Sequence, residues 1–140
     1  MSLKNGCISV FCAIFLMSCV ALSQTTAEKA AEGSATKWLG LVDTGDYAAS
    51  WDEAAQFFKN AVSKDRWKEQ IKAVRAPLGK LNSRKLKSAT STTSLPGAPD
   101  GQYVVIQYDC SFEHKTSAVE TVTPMLDKDG LWRVSGYFIR

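Results

Sequence analysis

The apolar positions in the first half of the chain recur every three or four residues, from about Thr25 to Ala76. This spacing places apolar side chains on one face of a helix and predicts amphipathic α-helices. A short helical turn that carries Tyr47 and Trp51 is also expected. Three apolar stripes predict three further helices: Ala31, Ala35, Trp38 and Val42; then Ala54, Phe57, Phe58, Ala61 and Val62; then Trp67, Ile71 and Val74.

Residues that favour helix ends stand near the predicted boundaries. Asp46 can cap the short turn, and Ser63 suits the N-cap of the last helix. Ser50 and Glu53 have capping-box spacing for the next helix, the one that follows this short turn. Pro77 lacks an amide hydrogen and Gly79 can adopt a positive φ, so together they predict the end of the last helix.

Beyond Pro77 the apolar positions recur every second residue, which is typical of half-buried antiparallel strands. The clearest example is QYVVIQYDCSFEH, in which one face carries Val104, Ile106, Tyr108, Cys110 and Phe112. The stretches KLNSRKLKSAT, AVETVTPML and LWRVSGYFIR predict three more strands, and DKDG, residues 127–130, predicts a turn before the last of them. The predicted fold class is therefore α+β, with the N-terminal helices packed on a curved antiparallel sheet.

The first 23 residues are typical of a secretory signal peptide, with a lysine near the start, an apolar run and small residues before Gln24. We expect cleavage after Ser23, which leaves residues 24–140 as a single domain that is periplasmic or secreted from a bacterium. An alternative is the stretch LMSC, residues 16–19, which resembles a lipobox. Lipidation at Cys19 would attach the protein to a membrane.

Loss of the leader changes both the cysteine count and the charge. Three of the four cysteines are removed and Cys110 remains, so a hydrophobic core rather than an internal disulfide must hold the fold. The sequence has 17 basic and 14 acidic residues, and removing Lys4 leaves 16 against 14, a net charge of +2. Domains dedicated to nucleic-acid binding are usually strongly basic, so we expect no nucleic-acid partner.

Basic side chains are concentrated in RAPLGKLNSRKLKSA, residues 75–89. Lys80, Arg84, Lys85 and Lys87 have no aromatic residues between them on which bases would stack. Lysines on an exposed edge strand discourage pairing with other chains. The pattern therefore favours an edge strand that follows a hinge.

Residues that usually carry catalysis or bind metals are sparse. His114 is the only histidine, which excludes a histidine-rich zinc site. Cys110 and His114 lie on one face of a strand about 13 Å apart, too far for a thiolate–imidazole pair. Asp127 and Asp129 resemble calcium ligands, but the other oxygen donors of such a loop are missing, so we interpret them as turn residues. We predict no catalytic residue, no metal site and no cofactor.

Five residues are candidates for a ligand pocket: Trp51, Arg84, Tyr108, Glu120 and Tyr137. Trp51 stands at a helix junction, whereas the other tryptophans fit core positions. Glu120 lies in the middle of a predicted strand. If it faces the helices, its carboxylate is buried and needs a partner such as Arg84, Tyr108 or Tyr137. If it faces water, it has no functional meaning, and the sequence leaves both cases open.

Much of the chain, from Lys37 to Arg140, also resembles a known family. The resemblance rests on the stretches KWLGLVDTGDYAASWDEAAQFF, LPGAPDGQYVVIQY, VETVTP and DGLWRVSGYFIR. They are similar to an uncharacterised bacterial family, domain of unknown function 4019 (DUF4019), which implies a small exported domain. The order of elements also resembles the nuclear-transport-factor-2-like (NTF2-like) architecture, in which a curved sheet and helices form a cone. The family brings no known catalytic residues.

Three classes of function remain open at this stage. We favour an exported non-enzymatic domain that binds a small ligand or an envelope partner protein, as a monomer or weak dimer. The alternative is a small cavity enzyme in which a carboxylate acts as acid and base, as in ketosteroid isomerase. The third class is a structural role through an exposed sheet face. Analogy at the level of the fold does not choose among them.

Overall fold

The computed structural model describes residues 24–140, and the predicted signal peptide and lipobox lie outside this range. Four helices come first: α1 (Thr26–Asp43), α2 (Tyr47–Asp52), α3 (Gln56–Ala61) and α4 (Lys64–Arg75). A 3₁₀ turn, Ala76–Leu78, leads into four strands: β1 (Leu81–Thr92), β2 (Tyr103–Phe112), β3 (Lys115–Leu126) and β4 (Trp132–Ile139).

The four strands form one antiparallel sheet in the order β1-β2-β3-β4, so each strand pairs with its neighbour in sequence. Register shifts interrupt all three pairings, and such bulges bend strands and increase their twist. The predicted α+β class, with helices packed against a curved antiparallel sheet, is confirmed. Pro124 lies in an interior strand, at one of these bulges, where a missing backbone donor is tolerated.

Side-chain caps fix the starts of three helices. Thr25 and Glu28 form a reciprocal capping box at α1, Asp46 accepts from Ala49 N at α2, and Ser63 accepts from Arg66 N at α4. The prediction that Ser50 caps the next helix is wrong. Ser50 lies buried inside α2, and α3 begins after Ala55 without a side-chain cap.

The end of α4 differs from the prediction in one respect. Val74 is exposed to solvent, and Arg75 is the buried residue of the last turn. The predicted stop at Pro77 and Gly79 is confirmed. Gly79 has φ of 72°, and a Cβ atom at this position would lie 2.8 Å from His114 Cδ2, so the turn into β1 requires glycine.

The core lies between α1, α4 and the inner face of the sheet. Alternate residues of β2 are buried as predicted, from Val104 to Phe112. Strict alternation fails in β4, because the bulge pairs Thr123 with Gly136 but Pro124 with Val134. Ser135 is the extra residue, so Tyr137 packs against the core while Phe138 is exposed.

The two edge strands of the sheet differ in how far their outer hydrogen-bonding groups are occupied. At β4, two carbonyl groups on the outer edge accept hydrogen bonds, Val134 O from Ala55 N over 2.8 Å and Trp132 O from Ser34 Oγ over 2.7 Å. β1 is the other edge strand, as predicted, and its strand pairing is with β2 alone. None of the helices in residues 24–140 has the length and apolar character needed to span a bilayer.

Candidate functional site

A cluster of polar side chains lies between the inner sheet face and the ends of α1 and α4. We call it the interior polar cluster, and it comprises Asp43, Arg75, Arg84, Glu120 and Tyr137. α1 contributes Asp43 from its last position, and α4 contributes Arg75 from its last position. The other three come from β1, β3 and β4, so the cluster ties both helices to the sheet.

Glu120 is the buried centre of this cluster, with an exposed fraction of 0%. Its Oε1 accepts hydrogen bonds from Tyr137 Oη over 2.7 Å and from Arg84 Nη2 over 3.3 Å. Its Oε2 accepts from Arg84 Nε over 2.6 Å and faces the Cys110 thiol at 3.5 Å. The question left open by the sequence is therefore answered: the carboxylate is buried and paired.

Asp43 joins the two arginines at the outer side of the cluster. Arg84 holds its carboxylate with two parallel hydrogen bonds, Nη1 to Oδ2 over 2.7 Å and Nη2 to Oδ1 over 2.9 Å. Arg75 Nη2 also donates to Oδ1 over 2.8 Å. Burial tends to raise the pKa of Asp43, but the hydrogen bonds from Arg84 and Arg75 outweigh it and hold the pKa below its usual value.

Two polar atoms beside the cluster are buried without a hydrogen-bond partner among the described residues, Arg75 Nε and the Tyr108 hydroxyl. Arg75 is 6% exposed and lies over the Phe112 ring, with its guanidinium carbon 5.1 Å from the ring centre. The Arg84 guanidinium lies 6.0 Å from the centre of the Tyr108 ring. Burial is the main cause of the raised pKa of Tyr108. Arg75 therefore keeps one N–H group that no residue of this part of the chain accepts.

The structure unites three of the five predicted pocket residues by direct contact, Arg84, Glu120 and Tyr137. Tyr108 borders them through its ring face. Trp51 lies elsewhere, because its indole N–H donates to Val62 O at the junction of α3 and α4. Its ring is flanked by Lys59 and Lys64, each ammonium group 5.8 Å from the ring centre.

A half-open groove lies on another side of the molecule, between α1, α2 and the start of β4. We call it the α1–β4 groove, and its volume is about 840 Å³. Its apolar lining includes Trp38, Leu41, Leu131 and Trp132, and α1 contributes Ala30, Gly33 and Ser34. Leu131 is 57% exposed, so it presents an apolar side chain to solvent at the border of the groove.

Charged groups stand at the borders of the α1–β4 groove. Lys37 and Glu53 make no ion pair within residues 24–140. Arg133 also lines the groove, but it is held by Asp127 and Asp129 over 2.9 and 2.8 Å. These pairs raise the pKa of Arg133 and fix the turn between β3 and β4. Asp127 and Asp129 are therefore turn residues that bind an arginine, in agreement with their interpretation from sequence.

Trp38 forms a wall between the groove and the interior polar cluster. Its ring centre lies 5.2 Å from that of Tyr137, and the Trp67 ring lies 5.8 Å from Trp38. Ser50 fixes both indoles, because Trp38 Nε1 donates to its carbonyl and Trp67 Nε1 donates to its hydroxyl. The predicted core role of Trp38 and Trp67 is confirmed by their burial.

Residues 34–137 match the family model described as a protein of unknown function (DUF4019). The chain belongs to the DUF4019 family. A similar solved structure is that of a protein from Shewanella frigidimarina NCIMB 400 proposed to be a ketosteroid isomerase. It is 16% identical, with a TM-score of 0.52, and the match covers 79% of this chain and 94% of that one. No curated protein matches. The fold of this DUF4019 chain is NTF2-like, as the resemblance implied.

Two members of the interior polar cluster, Asp43 and Arg75, were not among the site residues predicted for this DUF4019 chain. Arg75 had a readable signal, because Trp67, Ile71 and Arg75 are spaced by four residues and share one helix face. No local sequence pattern marks Asp43 as a site residue, because its partner Arg84 is 41 residues away in the sequence. Within residues 24–140 there is no group of three or more side chains suited to a metal ion.

Proposed function

We propose that the protein is a non-enzymatic binding domain that acts after export and holds a small ligand in the α1–β4 groove. The observation that carries the proposal is the groove itself. Its volume of about 840 Å³ falls within the range of about 300–1,000 Å³ that is usual for small-molecule sites. Its lining is mainly apolar and includes two tryptophans, with a few charged groups at the border, which is the usual chemistry of such sites.

The interior polar cluster is a weaker candidate for this role. A ligand site or a general base needs a polar atom that is free to face the ligand. Both carboxylate oxygens of Glu120 already accept hydrogen bonds from Arg84, and Tyr137 and Cys110 occupy their remaining directions. The geometry therefore does not favour the alternative of a cavity enzyme with Glu120 as acid and base. That Arg84, Tyr108, Glu120 and Tyr137 line a ligand pocket stays a prediction.

Two glycines of α1 allow a matched test of the groove. Gly33 lines the groove and Gly40 does not, and at both positions an added Cβ atom would meet nothing within 4 Å. Gly33→Leu would place a side chain in the groove, whereas Gly40→Leu is the control on the same helix. Both changes improve helix propensity by up to about 1 kcal/mol, so neither is expected to unfold the protein.

The experiment begins with a screen for small molecules that raise the Tm of the parent protein, followed by titration on tryptophan fluorescence. Compounds that bind in the groove should lose at least about tenfold in affinity in Gly33→Leu, a loss of about 1.4 kcal/mol, and keep their affinity in Gly40→Leu. Equal binding to both variants would place the ligand elsewhere. A broad screen without any stabilising compound would contradict a small-ligand function and favour the partner-protein alternative.

Export is the second part of the proposal, and it is tested separately. The expected product begins at Gln24, so the intact mass of the protein recovered from the periplasm or medium should match residues 24–140. A diacylated product that begins at Cys19 would instead establish a lipoprotein anchored at a membrane. A product that retains residues 1–23 in the cytoplasm would overturn the export proposal.

A further inference from the structure

The contacts of Asp43 have the geometry of a bound oxyanion. Arg84 presents two parallel N–H groups to its two oxygens, and Arg75 adds a third donor to one of them. Guanidinium groups bind carboxylates and phosphates in this forked arrangement, which gives both strength and orientation. Asp43 therefore takes the position that the oxygen atoms of a small anionic ligand would occupy.

The two arginines are held firmly without Asp43. Arg75 is 6% exposed and packs on the Phe112 ring. Arg84 is held by two hydrogen bonds that it donates to Glu120. Glu120 balances one positive charge, so Asp43 balances the second. Without Asp43, the site keeps its donors in place and carries one net positive charge.

Asp43 itself is the more replaceable partner. It is the last residue of α1, and the carbonyl groups at a helix C-terminus make that end unfavourable for a negative charge. Its side chain is 23% exposed, so water and solutes reach it. Gly45, two residues later, has φ of 78° and begins the turn to α2. A change at the Asp43 side chain therefore lies at the end of the helix, where few residues need to move.

A second observation points to a ligand. Arg75 Nε is buried without a hydrogen-bond partner in the described part of the chain. Buried donors of this kind are rare in folded proteins and call for a specific explanation. Asp43 accepts hydrogen bonds from both arginines but leaves one of their donors, Arg75 Nε, without a partner. A ligand with more oxygen atoms, or with a polar group beyond its carboxylate, would serve more of them.

We propose that Arg75 and Arg84 form a binding site for a small carboxylate or phosphate group, and that Asp43 occupies this site until such a ligand displaces it. None of the three residues lines the α1–β4 groove, so this site is separate from the function proposed above. The ligand is a compact oxyanion, because the site is mostly closed by the helices and the sheet. The proposal concerns binding alone and assigns no reaction.

The test removes the internal carboxylate and supplies external ones. Asp43→Ala should be less stable than the parent, and acetate or inorganic phosphate should restore stability. At about ten times the Kd, the anion should raise the Tm of Asp43→Ala by roughly 3–6 °C relative to sodium chloride at equal ionic strength. The parent should reach the same shift only at a higher anion concentration, because the anion must first displace Asp43. Asp52→Ala, which loses an exposed carboxylate paired with Lys64, is the control with the same charge change.

The pattern of Tm shifts across the three proteins tests the proposal. A response to acetate or phosphate in Asp43→Ala at low concentration and in the parent at higher concentration, with none in Asp52→Ala, supports the proposal, and the stronger of the two is the preferred anion. A response in Asp43→Ala alone would show that the anion does not displace Asp43 and would overturn the proposal. Equal shifts in all three proteins would indicate general salt effects and overturn it, as would no specific shift in Asp43→Ala. If Asp43→Ala does not fold in any salt, Asp43→Asn is used, and phosphate must stabilise it more than the parent for the proposal to stand.

Discussion

Tyr137 on β4 donates a hydrogen bond to Glu120 on β3 over 2.7 Å, and this contact joins the hydroxyl group of a core tyrosine to a buried carboxylate. The Tyr137 ring packs against Trp38 and Trp67 on its other side. One end of the tyrosine therefore belongs to the hydrophobic core, and the other end belongs to the interior polar cluster. Burial and the nearby negative charge of Glu120 raise the pKa of this tyrosine, so it stays a donor at neutral pH.

Glu120→Gln should lower the free energy of unfolding by about 3–5 kcal/mol, because it leaves Arg75 and Arg84 to share Asp43 as their one carboxylate partner within residues 24–140. The measurement is denaturant unfolding of both proteins at neutral pH. Glu69→Gln, at an exposed position of α4, should stay within about 0.5 kcal/mol of the parent. A loss below about 1 kcal/mol for Glu120→Gln would contradict the structural role and return Glu120 to the ligand-binding candidates.

Asp43 should make stability depend on pH on the acidic side. Its pKa in the folded state is lowered, so its contribution is complete above the unfolded value of about 3.9 and is lost as the pH falls through the folded value. Asp43→Asn should be less stable than the parent at pH 7 and should lose less on acidification below about pH 4. Parallel curves for the two proteins from pH 7 to pH 2 would show that Asp43 makes no such contribution.

Cys110 should react very slowly with thiol reagents in the native protein. Its side chain is buried, and burial together with the negative charge of Glu120 raises its pKa to about 12. A shift from about 9 to about 12 leaves roughly a thousandfold less thiolate at pH 8. Labelling should therefore be rapid only in denaturant. Fast labelling of the native protein, or a dimer linked by a disulfide, would contradict this prediction.

The basic edge strand should show no sequence-selective binding to DNA or RNA. Arg84 points into the interior polar cluster, and Lys87 pairs with Asp109, which reduces the free positive charge on β1. The variant to compare is the triple change of Lys80, Lys85 and Lys87 to alanine, which leaves Arg84 in place for stability. Selective binding by the parent that is lost in this variant, measured at several salt concentrations, would show that the prediction is wrong.

The extent to which the sequence predicted the fold follows from the range of the interactions. β2 was read correctly, because its pairing with β3 runs in register from Ile106 to Cys110 and its alternation is not interrupted. The alternation of inward and outward side chains in β4 was predicted correctly only as far as Val134. The bulge at Ser135 depends on the partner strand, and it moves Tyr137 to the inner face and Phe138 to the outer face.

The candidate site was predicted in part for a similar reason. Glu120 and three of its possible partners were named from the rule that a buried carboxylate needs pairing, and Arg84 and Tyr137 do pair with it. Arg84 was interpreted mainly as one member of a solvated basic strand, because its inward direction depends on Asp43 and Glu120, 41 and 36 residues away. The α1–β4 groove arises from the packing of three separate elements, and no local pattern marks it.

The unequal edges of the sheet limit how copies of this protein can aggregate through their strands. At β4, Ala55 and Ser34 already occupy carbonyl groups that an incoming strand would use, whereas β1 is paired on one side alone. Linear growth of a stacked sheet needs two open edges on every molecule, one for each neighbour. A native copy that associates through β1 has a second edge that is partly occupied, so such association favours a pair over a filament.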